Sequence, residues 1–209
     1  LACVALERLG HLLDWQDAIA ALALESLGCQ RQAFDADVLA LRRGAGLAAV
    51  GARLRARLGD SAHLANVAGR RTQDALSLRA VPHVHGMARD AWVALGQTVD
   101  DELASVTDNP VVLAHGPDAQ VRSEAHAVAA SLALALDATA IALAHVVQMS
   151  ERRIDRLVNP LVSGLPAFLA RDPGAGSGMM IAQYTACSLA AESRRLAVPA
   201  SLGGGVTSA

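Results

Sequence analysis

Fourteen residues, Gln73 to Gly86, read QDALSLRAVPHVHG and gather an amide, a carboxylate, a guanidinium, two imidazoles and a proline in a chain otherwise rich in alanine and leucine. Arg79 carries a planar fork of donors that can hold a carboxylate bidentately. On the residues alone it could equally cap a local turn or pair with Asp74. His83 and His85 could supply two metal ligands, but no neighbouring Cys or HxxE partner completes a set, so hydrogen-bonded structure is the plainer reading and no metal is expected. His126 and His145 stand isolated and read the same way. HExxH, GxSxG and P-loop patterns do not occur, and GAGSG at Gly174 to Gly178 lacks a following Lys and a preceding strand, which leaves a flexible connection. Glu192, next to Arg194 and Arg195 on a helical pattern, would by itself be a surface residue.

The elements that must position these groups are helical. Hydrophobic residues make up 53% of the chain but aromatics only 2%, so the core has to be built from Ala, Leu and Val. Small side chains of that kind suit closely packed helices. The net charge of -2, with Arg dispersed among Asp and Glu, offers no basic face for nucleic acid. Cys3, Cys29 and Cys187 form no CxxC pair and read as reduced thiols of an intracellular protein, which places the protein in the cytoplasm.

Residues 1 to 28 read as a helix, followed by a connection with a short helical segment. Leu47, Val50, Leu54 and Leu58 then mark a helix closed near Gly59. Pro82 disfavours helical geometry at Val81, so the next helix is expected from about Gly86 to Val106, stopped by TDNP. The segment VLAHGPDAQVRSE reads as a surface excursion or hairpin; no other strand pattern stands out. Ala127 to Val158 lacks Gly and Pro and spans roughly 48 Å as one helix. Within it, Ala127 to Met149 could be taken for a membrane span, but Asp137 at the middle of that stretch is expensive in lipid, and burial in a bundle or oligomer accounts for the same residues. SERRIDRL at its end reads as a solvated helix terminus, or as charges that set register between subunits. The last helix covers MMIAQYTACSLAAESRRLA, closed by Pro199. The expectation is an all-α chain with no clear domain boundary, one helical unit over 1–209. A start at Leu1 partway into a helical pattern and an end in PASLGGGVTSA read as a fragment.

Several stretches together resemble the histidine ammonia-lyase family of aromatic amino acid ammonia-lyases. They are ALALESLG, QDALSLRAVPHVHGMARDA, TDNPVV, SERRIDRLVNPLVSGLPAFL, SGMMIAQYTACSLAAESRRLAVPAS and the final TSA, which in this order and spacing span almost the whole chain. The resemblance implies a central to C-terminal piece of an all-helical homotetramer whose long helices share a common bundle and whose active sites are built by three subunits. It implies elimination of ammonia from an amino acid by an electrophile, methylideneimidazolone, cyclised from an internal Ala-Ser-Gly. In the family motif QDxYSLR the arginine binds the substrate carboxylate, and Arg79 stands there; Gln73 matches the active-site glutamine that orients the electrophile, and Glu192 matches the glutamate beside the substrate side chain.

Three departures qualify that implication. Leu76 stands where the motif has tyrosine, and leucine can neither donate nor accept a proton. The family's SGGNFHG aligns with SEAHAVA, Ser123 to Ala129, so the asparagine becomes His126, a candidate compensating polar group, and the aromatic wall is lost. No Ala-Ser-Gly occurs in the 209 residues, so this polypeptide alone should be inactive. The resemblance thus leaves three expectations: a lyase acting on L-histidine to give urocanate, a lyase with another amino-acid substrate, or a diverged lyase-fold protein serving assembly or binding.

Overall fold

A computed structural model describes residues 1–114 and 116–203. The closing TSA lies outside the described residues. Helix α1, Ala2–Ser26, buries Leu9, Leu13, Asp17, Ala20 and Leu24 at three- and four-residue intervals, one stripe of an amphipathic helix with a carboxylate set into it. A 3-10 turn at Arg31–Phe34 leads to the short α2, Ala36–Ala40, then to α3, Ala45–Leu58, and α4, Ala62–Val67, capped by the Ser61 hydroxyl accepting from the Leu64 N–H. One turn, α5, Leu76–Arg79, precedes α6, Val81–Ala104.

The start of α6 differs from the sequence expectation by five residues. Pro82 lies in the first turn, where an N–H would have no helical acceptor, and its fixed φ favours helix entry instead of blocking it. Val81, the residue before the proline, is nonetheless helical, with its side chain fully buried.

Between α6 and the long helix, β1, Val111–Leu113, pairs antiparallel with β2, Gln120–Arg122, with Val112 opposite Val121. Strands of three residues are too short to leave an alternating signal, but the hairpin falls within the predicted excursion. Its stem is tied by Asn109, whose Oδ1 accepts from the Glu124 N–H at 2.8 Å and the Ser123 hydroxyl at 3.2 Å. Helix α7 runs Ala130–Val158, starting three residues later than expected, because Ala125–Val128 forms a turn instead. The chain closes through α8, Pro160–Ser163, a 3-10 turn at Ala167–Leu169, and α9, Met180–Leu196.

Helix α6 is the hub, packed on α3, α1 and α7, with α9 on the far side of α7. One apolar cluster joins Leu24, Phe34, Val50, Leu54, Leu64, Leu78 and Val81; a second joins Leu9, Leu13, Ala88, Ala142 and Val146. Alanine in the second lets α1, α6 and α7 approach closely, as the low aromatic content required. The closest approach is glycine on glycine. A Cβ at Gly86 would fall 2.5 Å from the Leu47 nitrogen, and one at Gly46 2.1 Å from the Gly86 carbonyl oxygen. The docked end of α3 is held by the Gly46 N–H donating to Asp90 Oδ1 at 2.8 Å. Gly86→Ala should therefore push α3 from α6 and lower stability by about 2 kcal/mol, read as a fall in the denaturant midpoint; an unchanged midpoint would show the contact to be soft.

Candidate functional site

The QDALSLR segment displays every third residue, Gln73, Leu76 and Arg79, and fixes those between. Asp74 is buried; its Oδ2 accepts from the Gln30 N–H at 2.6 Å, and its Oδ1 faces the Arg71 guanidinium at 3.5 Å. Gln30 closes the same loop with its side chain, donating to the Val67 carbonyl at 3.3 Å and accepting from the Gly69 N–H at 2.8 Å. Leu78 and Val81 plug into the first apolar cluster. The Ser77 carbonyl accepts from Arg153 on α7 at 3.3 Å. Gln73 and Leu76 are left exposed, Leu76 at 65%, and Arg79 half-buried.

Gln73 and Arg79 line one cleft of about 350 Å³ together with Gln30, Gln32, Ala33, Val38, Thr72 and Asp74. Among the described residues nothing pairs with the Arg79 guanidinium, and its Nε is buried without a partner. The alternative that Arg79 pairs with Asp74 is thereby answered, since Gln30 and Arg71 occupy that carboxylate. A larger neighbouring cleft of about 450 Å³ contains Arg31 and Arg55, but both are engaged. Arg31 donates to the Gly59 carbonyl at 2.7 Å and Arg55 to the Phe34 carbonyl at 2.6 Å. Arg79 is the guanidinium free to take a carboxylate there.

Glu192 is exposed on α9 and does not line the Arg79 cleft. His126 is exposed before α7, with its Nδ1 3.0 Å from Glu124 Oε2 and its N–H donating to the same oxygen, so it is paired and not isolated. Glu124 Oε1 is buried without a partner. Within one copy of this chain, then, Gln73 and Arg79 come together, and Glu192 and His126 stand on other elements.

Sequence reasoning passed over the groups that hold the site. Arg153 is 2% exposed, donating to the Ser77 carbonyl and, at 2.8 Å, to the Ser150 hydroxyl; burial pushes its guanidinium down to about 10. The solvated reading of SERRIDRL therefore fails for Arg153 and for buried Glu151, and holds for Arg152, which pairs outward with Glu151 and Asp155. The missed signal was periodicity, since Arg153 follows buried Val146 by seven residues and Thr139 by fourteen, along one face.

A buried charged cluster joins α1 and α6. Asp17 Oδ2 accepts from Arg89 Nε at 3.0 Å and Nη2 at 2.6 Å, while Oδ1 lies 2.9 Å from His85 Nδ1. Arg89 also reaches Asp14, which pairs with Arg53 on α3 at 2.7 Å. Hydrogen bonding from Arg89 holds the Asp14 carboxyl below its ordinary range. His85 is the hydrogen-bonded histidine that its lack of metal partners implied. Among the described residues no group of three or more His, Cys, Asp or Glu side chains could hold a metal.

The aromatic amino acid lyase family profile matches residues 1–209. A histidine ammonia-lyase of Symbiobacterium thermophilum is 46% identical over 192 residues, covering 91% of this chain and 37% of that protein. The human histidine ammonia-lyase is 39% identical over 214 residues, covering 100% of this chain and 32% of its own length. The crystal structure of histidine ammonia-lyase from Trypanosoma cruzi superposes with a TM-score of 0.87 at 34% identity, covering 100% of this chain and 38% of that one. The chain belongs to the aromatic amino acid lyase family and spans about a third of the length of these relatives.

Burial lowers the His85 pKa against the opposing hydrogen bond its ring donates to Asp17, so the folded chain resists protonating this ring where the unfolded chain protonates near pH 6.5. The stability this contributes is present above pH 6.5 and lost as the pH falls below it, by up to about 1.4 kcal/mol per pH unit. In the full-length protein the thermal midpoint should fall from pH 7 to 5.5, and His85→Gln should flatten that slope. A midpoint that rises on acidification would contradict the assignment.

Proposed function

We propose that this chain is the part of an ammonia-lyase that binds the substrate's carboxylate, and that the whole enzyme converts L-histidine to urocanate and ammonia. The observation that carries this reading is the unpartnered Arg79 guanidinium in a cleft beside Gln73, within the motif QDALSLR. A carboxylate docked there would receive two parallel hydrogen bonds and relieve the unpartnered Nε. That docking would fix the amino acid's α-carbon and aim its amine and β-carbon into the cleft, at little reorganisation cost because Asp74, Leu78 and Ser77 hold the turn. Histidine as substrate is supported by the identity to histidine ammonia-lyases and by Glu192, whose carboxylate would accept from an imidazole N–H.

Methylideneimidazolone, in this family, supplies an electrophile for the substrate amine. Its precursor Ala-Ser-Gly is not in this chain. The residues present fit a polar neighbour of that kind, since the exposed Gln73 amide makes no hydrogen bond among the described residues and stands in the Arg79 cleft. Gln73 would hold and orient the group. Leucine at 76 cannot remove the β-proton, so another group would have to supply the base.

Glu192 and His126, on elements apart from the Arg79 cleft, fit a site completed by other subunits. We read the assembly as a homotetramer, with residues 1–209 one helical unit of each subunit. Helix α7 supports this: by length and composition it could cross a membrane, but Asp137, in its N-terminal half, accepts from the Ala200 and Ser201 N–H groups at 3.1 and 2.9 Å. Its exposed Leu134 and Ile141 would lie against partner helices, in a cytoplasmic enzyme.

A second reading, a lyase fold that has lost turnover or changed substrate, is favoured by Leu76, an apolar side chain displayed where the family motif has a proton-transferring tyrosine. Ultraviolet-monitored turnover of L-histidine by the full-length protein should yield urocanate, and Arg79→Met should lower kcat/KM about 100-fold, near 3 kcal/mol of lost carboxylate binding. No product from histidine or any other aromatic amino acid would favour the second reading. In that event Leu76→Tyr tests it further: restored turnover would indicate a weakened enzyme, and continued silence a binding or assembly protein.

A further inference from the structure

We infer that Arg153 is a positioning residue for the carboxylate site, fixing the α5 turn through the Ser77 carbonyl so that Arg79 faces the cleft. The inference rests on the reading that Arg79 binds the substrate carboxylate.

A guanidinium buried to 2% exposure, with no carboxylate partner among the described residues, is an expensive occupant of an apolar stripe. At that place on α7, seven residues after Val146, an apolar side chain would pack without the cost of desolvating a charge. What an apolar residue could not do is donate. Nη1 donates to the Ser77 carbonyl at 3.3 Å, and Nη2 to the Ser150 hydroxyl at 2.8 Å. Ser150 in turn lies 2.9 Å from Gln16 Oε1 on α1, so the fork is aimed by a relay from α1 through α7 to α5.

The target of that relay is a helix of only four residues, too short to hold its own orientation. Asp74 pins the turn before it and Leu78 anchors its inner face. Neither fixes its rotation as a carbonyl held from the side does. Ser77 lies two residues from Arg79, so a small rotation about the Leu78 anchor would swing the free guanidinium away from Gln73. Displacements of about 1 Å at such sites cost on the order of 100-fold in rate.

The test uses the full-length protein and calorimetric binding of two probes: imidazolepropionate, which carries the carboxylate, and imidazole, which does not. Arg153→Met should raise the Kd for imidazolepropionate about ten-fold and leave that for imidazole unchanged. Arg153→Lys, which keeps one donor for Ser77, should recover part of the loss. In an Arg79→Met background Arg153→Met should produce no further change, because its effect passes through Arg79. If Arg153→Met yields no folded protein, Ser150→Ala replaces it, with about a three-fold rise expected for imidazolepropionate alone. An unchanged Kd in folded Arg153→Met, or in Ser150→Ala where it replaces that variant, or equal weakening of both probes, would overturn the positioning role while leaving Arg79 in place. An unchanged Kd in Arg79→Met alone, or no binding by the unaltered protein, would bring down the carboxylate reading and this inference with it.

Discussion

Asp17 is a carboxylate with no exposed surface, and its neighbours are arranged to compensate it. Both of its oxygens are occupied from α6, by His85 and by two nitrogens of Arg89. Loss of Arg89 leaves an uncompensated charge in the core, at a cost of about 3–5 kcal/mol. This fixes the register of α1 against α6 more sharply than Ala and Leu packing could, because small apolar side chains permit sliding. The residues that follow depend on it: Gln16, next to Asp17, begins the relay through Ser150 to Arg153, and the turn bearing Arg79 leads directly into α6.

Three acids of the fold are already committed. Asp74 takes the Gln30 N–H and Arg71, Asp14 takes Arg89 and Arg53, and Glu151 takes Arg152 and the Cys187 thiol. Arg79 remains without one. A guanidinium with no carboxylate partner among the described residues, in a cleft beside an amide that makes no hydrogen bond among them, could receive an external carboxylate, and that complementarity would connect the fold to the amino-acid chemistry proposed here. The same economy explains why the second arginine cleft is a poorer receptor, since its guanidiniums are spent on backbone carbonyls.

Much of this was legible in the sequence. The five longest stretches of α-helical structure follow from apolar spacing, and the pairing of Gln73 with Arg79 follows from a motif. The positions that misled were polar residues judged by type and not by phase. Pro82 reads as a barrier until its place in the first turn is known, where the missing N–H is harmless. Arg153 reads as solvated until it is counted seven residues on from Val146. Asp17 sits four residues from Leu13 on a buried stripe, yet its partners are 68 and 72 residues away and no local pattern names them. The separation of Glu192 and His126 from the Arg79 cleft is tertiary in origin and has no local sequence signal.

The central claim is that the internal pairing of charge leaves Arg79 for the substrate's carboxylate. A crystal structure of the full-length protein with imidazolepropionate bound tests it most directly. The account predicts the probe's carboxylate within hydrogen-bond distance of the Arg79 guanidinium, with Asp74 still held by Gln30 and Arg71. A carboxylate seated elsewhere, with Arg79 turned to an acid of the protein itself, would contradict it.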